Sequence, residues 1–78
     1  MRAGPLKEKE IQFVKLAITG SLMLETSFKT HVQKALHAGA SRLEVEHAVL
    51  QMLPILGLAR TMMTMKWFRE ASQSKRRR

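Results

Sequence analysis

Apolar residues recur three or four positions apart along the first part of the chain, which is the spacing of one face of an α-helix. This segment runs from Leu6 to Leu22 or Met23, and Glu8 and Glu10 near its start suit the positive end of a helix dipole. The pattern therefore predicts a first amphipathic helix. Its predicted buried stripe is Ile11, Val14, Ile18 and Leu22, widened by Phe13, Leu16 and Ala17.

A second helix is predicted after the segment MLETSF. The hydroxyl of Thr26 or Ser27 can accept a hydrogen bond from the first free backbone N–H groups, so we expect one of them to cap the helix start. Gly39 lies where a left-handed residue would end the helix. The predicted buried stripe is Phe28, Val32, Ala35 and Leu36, with Lys29, Gln33 and Lys34 facing outward.

The third helix has the clearest start signal in the chain. Ser41 is followed three positions later by Glu44, which is the spacing of a capping box. The interior that follows is apolar nearly all round, which predicts a helix buried on most sides. Pro54 lacks the backbone donor that a helix interior needs, so we expect a bend or stop near Leu53. Gly57 then allows either a close approach of the backbone or a second break.

A last helix is predicted to end near Ser72, with Leu58, Met62, Met65 and Phe68 on one side. No segment shows the alternation of a strand, and no sequence repeat is present. The sequence predicts a single all-α domain of about four helices over residues 6–72, with the third helix broken near Pro54–Gly57. A disordered lead at 1–5 and a basic disordered tail at 73–78 are expected to flank it.

The composition points to assembly with other subunits. The 78 residues are 45% apolar and include no cysteine, which excludes disulfides, thiolate metal sites and cysteine nucleophiles. A core of this size rarely supplies more than about 3–5 kcal/mol, and apolar surface left over usually packs against another subunit. We therefore expect a homo-oligomer with the Met- and Leu-rich third and fourth helices at the interface.

The apolar segments do not resemble membrane or export signals. Lys15, Arg60 and Lys66 interrupt every run before it reaches the roughly 18 residues of a membrane span. The segment MRAGPLKEKE lacks the apolar centre of a signal peptide. These features favour a cytoplasmic protein.

The net charge of +8 is unevenly distributed. The run Lys75–Arg78 supplies four of the fourteen basic residues, which leaves +4 for residues 1–74. Such a terminal run binds nucleic acid or an anionic partner, or only keeps a chain soluble. A small basic helical nucleic-acid-binding module is therefore one functional hypothesis, although no predicted helix has a basic face interleaved with aromatic residues.

Among the side chains that could carry chemistry, His31 is the first candidate. It lies three residues after Phe28 and four before Ala35, on the apolar face of the second helix, where a perturbed imidazole can act as a general base. A core histidine held by one acceptor has the same spacing. Glu25 and Ser27, about a turn earlier, are either partners of His31 or helix-start caps.

Metal and cofactor sites are not indicated. A zinc site needs three or four converging ligands, and the three histidines are scattered without an HxxxH pair. Methionines at helical spacing, such as Met62 and Met65, are more typical of a core or an interface than of a copper site. We expect neither a metal nor a cofactor.

Three segments in order resemble the carboxymuconolactone decarboxylase and alkylhydroperoxidase D-like family: EKEIQFVKLAI, LETSFKTHVQKALHAGAS and LEVEHAVLQMLPILGLART. The resemblance covers roughly Leu6 to Ala71. It includes a histidine, a helix ending in Ala-Gly-Ala, a Glu-rich helix start and a mid-helix break before a glycine. It implies an all-α domain that assembles as a trimer or hexamer.

The peroxidase branch of that family carries a Cys-x-x-Cys-x-x-x-His motif and a relay glutamate on the preceding helix. The resemblance puts Leu24 and Ser27 at the cysteine positions, Gln12 at the glutamate position and His31 at the histidine position. Leucine has no redox chemistry and serine is a poor nucleophile without a strong base, so thiol peroxidase activity is excluded. The decarboxylase branch needs no cysteine, and Glu25 with His31 fits it loosely.

The leading hypothesis is an oligomeric family member with a small-molecule pocket at His31, suited to an acidic or lactone-like ligand. A nucleic-acid-binding module and a structural pseudoenzyme subunit that regulates an active relative are the alternatives. If the resemblance holds, His31 should lie within hydrogen-bond reach of Gln12, Glu25 or Ser27.

Overall fold

The computed structural model describes the backbone of residues 4–76 and the side chains of residues 4–73. This part of the chain forms four main helices and one short helix, without a strand, which confirms the all-α prediction. The helices are α1 Glu8–Ser21, α2 Glu25–His37, α3 Arg42–Leu50, α4 Leu53–Leu56 and α5 Leu58–Arg76. The ends of the predicted lead and tail, at 1–3 and 77–78, lie outside the described residues.

The core is built around α2, against which both α1 and α5 pack. Its predicted stripe is confirmed, since Phe28, Val32 and Ala35 are fully buried and Leu36 packs against them. The Phe28 ring lies 6.0 Å from the Trp67 ring, measured between centroids, at a tilt of 57°. Tilted aromatic pairs at this distance stabilise a core beyond the area they bury. The other core residues of α5 are Met65, Phe68 and Ala71.

The predicted buried face of α1 is right at Leu16 but wrong along its main stripe. The helix buries Gln12, Leu16 and Gly20, whereas Val14, Ile18 and Leu22 are exposed. The reason is close packing at Gly20. A Cβ atom there would lie 3.0 Å from the Met52 side chain and 3.1 Å from that of Phe28. Helix α1 therefore packs tightly against the core at a residue that has no side chain, and the bulky aliphatic stripe faces away.

The predicted faces of α3 and α5 also need correction. Helix α3 buries only Val45 and Val49 and leaves Leu43 and Leu50 exposed, so within one chain it is not buried on most sides. In α5, Met65 and Phe68 are buried as predicted, but Leu58 and Met62 are exposed. Helix α5 turns its threonines inward instead, because they lie on the same helix face as the core residues. The buried polar residues of α5 are Thr61, Thr64 and Ser72.

The predicted capping box and mid-chain break are both present. Ser41 Oγ accepts from the Glu44 N–H at 3.0 Å, and Glu44 Oε1 accepts from the Ser41 N–H at 2.9 Å. Helix α3 ends at Leu50, slightly before the expected position, and Pro54 lies in the first turn of α4, where a missing donor is tolerated. Gly57, with φ of 84°, then separates α4 from α5.

Two helix ends differ from their predictions. Helix α2 begins at Glu25 after Leu24, without a side-chain cap, so neither Thr26 nor Ser27 is its N-cap. The cause is the tight end of α1, where Met23 adopts φ of 59° and the Leu24 N–H donates to the Thr19 carbonyl. At the other end of the chain, α5 continues past Ser72 to Arg76.

Candidate functional site

The candidate site lies where α1 and α2 pack side by side. Gln12 is buried in α1, and His31 is half-buried in the second turn of α2. The His31 Nδ1 atom lies 2.8 Å from the Gln12 Oε1 atom, a short hydrogen bond between residues 19 positions apart. The prediction that His31 lies within hydrogen-bond reach of at least one residue among Gln12, Glu25 and Ser27 is therefore confirmed, and the partner is Gln12.

A second hydrogen bond fixes the orientation of the Gln12 amide. Its Nε2 group donates to Glu8 Oε2 at 2.7 Å, one helical turn earlier on α1. An ionised carboxylate only accepts hydrogen bonds, so the amide nitrogen faces Glu8 and the amide oxygen faces His31. The neutral imidazole then carries its hydrogen on Nδ1 and has a lone pair on Nε2.

The surroundings keep His31 uncharged. Burial lowers its pKa below the usual value of 6.5, and the positive charges of Lys34 and Lys15 lower it further. The hydrogen-bond partner is a neutral amide, which stabilises an imidazolium less than a carboxylate would. At neutral pH the site therefore presents a neutral imidazole.

Glu25 takes part in a different interaction. Its carboxylate lies 2.9 Å from Lys29 Nζ, which also contacts the Glu70 carboxylate on α5 at 2.8 Å. The hydrogen bond to Glu70 is the main cause that raises the pKa of Lys29, and the hydrogen bond to Glu25 is the second. In turn, the hydrogen bond from Lys29 lowers the pKa of Glu70. Lys29, which Glu25 contacts within α2, is the residue that joins α2 to α5. Glu25 forms no hydrogen bond with His31 in the described part of the chain.

The positions that match the family's cysteines lie at the start of α2. Leu24 is the N-cap residue and Ser27 is exposed in the first turn. Their spacing to His31 places all three on one side of the helix. These positions keep the spacing of the motif along the sequence, and Ser27 makes no hydrogen bond to His31 among the described residues.

Two surface depressions occur near these helices. One, of about 400 Å³, lies next to the Gln12–His31 pair and is lined by Glu8, Gln12, Lys34, His37 and Ala38. It touches Gln12 but not His31 itself. The other, of about 570 Å³, follows α3 and is lined by Ser41, Leu43, Glu44, Glu46, His47 and Leu50.

Sequence reasoning missed Glu8, which it assigned only to the helix dipole. The signal that could have found it is the four-residue spacing from Gln12, because residues four apart on a helix are neighbours. No group of three potential metal ligands converges among residues 4–73. No helix in the described range is long and apolar enough to cross a membrane.

Comparison with known proteins supplies the family. No curated protein and no solved structure matches the chain significantly. The model of the carboxymuconolactone decarboxylase family matches residues 1–70, which is most of the chain and includes Gln12, Leu24, Ser27 and His31. The chain therefore belongs to the carboxymuconolactone decarboxylase family.

Proposed function

We propose that the protein binds a small acidic or lactone-like molecule beside His31 and uses the neutral imidazole as a hydrogen-bond acceptor or weak general base. The observation that carries this proposal is the partly buried hydrogen bond from His31 Nδ1 to Gln12, because it leaves Nε2 as the ring atom with a lone pair. An imidazole that is neutral at physiological pH can accept a proton from an acidic ligand group.

The surrounding charges support an acidic ligand. Lys34 lines the depression next to Gln12 and lies close enough to His31 to influence its pKa. A cation beside a neutral acceptor suits a molecule that has both a carboxylate and an exchangeable proton. Glu8 on the far side of Gln12 makes the depression mixed in charge, so a ligand with one carboxylate fits it better than a polyanion.

Ligand binding tests the proposal directly. A carboxylated lactone is titrated into the isotope-labelled protein, and backbone amide shifts are recorded together with carbon dioxide release. We expect shifts at Gln12, His31 and Lys34, and roughly tenfold weaker binding in His31→Gln, the effect of losing one hydrogen bond to a charged group. The control is Thr30→Gln, at an exposed position on α2 that lines neither depression. No binding by the wild type, or equal binding by His31→Gln, would contradict the proposal.

The absence of thiol chemistry has a separate test. A chain without cysteine forms neither a sulfenate nor a disulfide, so the wild type should not turn over a hydroperoxide with a dithiol donor. The triple variant Gln12→Glu, Leu24→Cys, Ser27→Cys rebuilds the family motif and should gain turnover. A folded triple variant without activity would contradict the assignment of these positions.

We also propose that the protein acts as a homo-oligomer, as the family resemblance implies. The support is an exposed apolar surface on α3, α4 and the first half of α5, which we call the α3–α5 surface. Monomers rarely expose large contiguous apolar patches. Its residues are Leu43, Leu50, Leu53, Ile55, Leu58, Met62 and Met63.

A further inference from the structure

We propose that Glu8 is a positioning residue that acts through the Gln12 amide to hold His31 in its Nδ1–H tautomer. The meaning of this tautomer for ligand chemistry rests on the function proposed above. The tautomer itself depends on no ligand and is measured without one.

The two ends of the Gln12 amide have different hydrogen-bond partners. Its nitrogen donates to Glu8 Oε2 at 2.7 Å, and its oxygen lies 2.8 Å from His31 Nδ1. Because the Glu8 carboxylate offers acceptors only, it selects one of the two amide orientations. The imidazole must then donate from Nδ1.

Removal of Glu8 makes the opposite orientation available. The Gln12 side chain is buried, and no acceptor other than Glu8 contacts its nitrogen within residues 4–73. A reversed amide would donate its N–H to Nδ1, and the ring hydrogen would then reside on Nε2. Lys15 and Lys34 act on His31 through their charge, so they disfavour the imidazolium without forming the hydrogen bond that selects a tautomer.

The choice of tautomer decides whether the site contains a base. With the hydrogen on Nδ1, the Nε2 lone pair is available to a ligand. With the amide reversed, Nδ1 would be occupied by Gln12 and Nε2 would be a donor, so neither ring nitrogen could accept a proton from a ligand. Glu8 therefore maintains the base without touching the imidazole.

Nitrogen-15 chemical shifts of the His31 ring, recorded on the full chain at a pH where the ring is neutral, test this proposal. The wild type should show a protonated Nδ1 and an unprotonated Nε2. Glu8→Ala should shift the tautomer ratio toward Nε2–H by roughly three- to tenfold, the range expected for losing one partly exposed hydrogen bond. Glu8→Gln should restore the wild-type ratio at least in part, because its amide oxygen can accept from Gln12.

Two further variants make the test specific. Glu8→Lys replaces the acceptor with a donor, which should invert the Gln12 amide and give mainly the Nε2–H tautomer. Glu10→Ala is the matched control, because Glu10 lies in the same turn but accepts from the Lys7 N–H at 3.0 Å. It should weaken the helix start and leave the His31 ring shifts unchanged.

The outcomes separate this proposal from the proposed function. Wild-type ring shifts in both Glu8→Ala and Glu8→Lys, or an Nε2–H majority in the wild type, would overturn the role of Glu8. If Glu8→Ala is unfolded, Glu8→Lys alone decides. A shifted tautomer in a protein that binds no carboxylated lactone would keep the role of Glu8 and remove the proposed function.

Discussion

At the scale of single residues, the chemistry of the site depends on which side chains α1 turns toward α2. The helix presents Gln12 where a purely apolar face was predicted, and a buried amide requires partners for both its nitrogen and its oxygen. Glu8 and His31 supply them. The histidine thereby gains a fixed tautomer from a neighbour that carries no charge.

Replacement of His31 should change how stability depends on pH. Because burial lowers the pKa of His31 below 6.5, the unfolded chain binds a proton more readily than the folded one. Stability contributed by the neutral ring is therefore complete above that value and is lost as the pH falls below it. We expect the urea midpoint of the wild type to fall between about pH 7 and about pH 5, and that of His31→Gln to fall less.

The same experiment has an internal check. The pKa of the Glu70 carboxyl is lowered from its usual value of 4.5 by the hydrogen bond from Lys29, so its contribution is lost as the pH falls below that value, outside this window. An identical fall in both proteins would show that His31 does not titrate as its surroundings require.

The sequence predicted part of this arrangement. The resemblance to the family put Gln12 at the position of the relay glutamate and His31 at the position of the motif histidine. In the structure the two side chains are hydrogen-bonded to each other. Glu25 was a plausible partner by spacing but pairs with Lys29, because a nearby cation offers an ion pair that an uncharged imidazole does not. The four-residue spacing from Gln12 was a signal for Glu8, but it became specific only once the burial of Gln12 was known, since acidic residues are common in any first helical turn.

At the scale of elements, the end of α2 shows how one glycine fixes a helix boundary. Gly39 adopts φ of 105°, its N–H donates to the Leu36 carbonyl, and the Ala40 N–H donates to the Ala35 carbonyl. This pair of bonds is a Schellman motif, which satisfies carbonyls that the helix leaves free. The next residue, Ser41, already caps α3.

The variant Gly39→Ala should lower the free energy of unfolding by about 1–2 kcal/mol, the cost of a left-handed conformation for a residue with a Cβ atom. No neighbour lies within 4 Å of the added atom, so the loss would come from the backbone alone. Urea denaturation measures it. The control is Gly4→Ala, at a glycine that also has open space but no positive φ, and an equal effect at both positions would contradict this account.

Helix types and most helix boundaries were predictable because capping residues, glycine and proline act locally. The buried faces of α1 and α5 were predicted only in part. An aliphatic stripe such as Val14, Ile18 and Leu22 has the same spacing whether it faces the core or a partner. Only a tertiary contact, the tight packing at Gly20, shows that this stripe does not face the core.

At the scale of the whole molecule, the α3–α5 surface leaves several large apolar side chains uncovered. Ile55 is 80% exposed and Leu58 is 68% exposed. We expect the wild type to sediment as a trimer or hexamer at micromolar concentration. A charge at Ile55 would have to be desolvated at an interface, so Ile55→Lys should dissociate the assembly into smaller species.

Sedimentation velocity distinguishes the species, and the control is Thr30→Lys, at an exposed polar position on α2. It should sediment as the wild type does. A wild-type chain that is folded, stable and monomeric at this concentration would rule out the oligomer.

The central position of α2 also has a kinetic consequence. Its contacts with α1 close a loop of only a few residues at Met23, whereas its contacts with α5 join distant positions, such as Gln33 and Ala71, which lie 38 residues apart. Loop-closure entropy favours the local pair, and low contact order favours rapid folding. The α1–α2 hairpin can therefore form while α5 is still undocked. The Phe28–Trp67 contact then belongs to the late side of the folding barrier, where its loss would accelerate unfolding more than it slows folding.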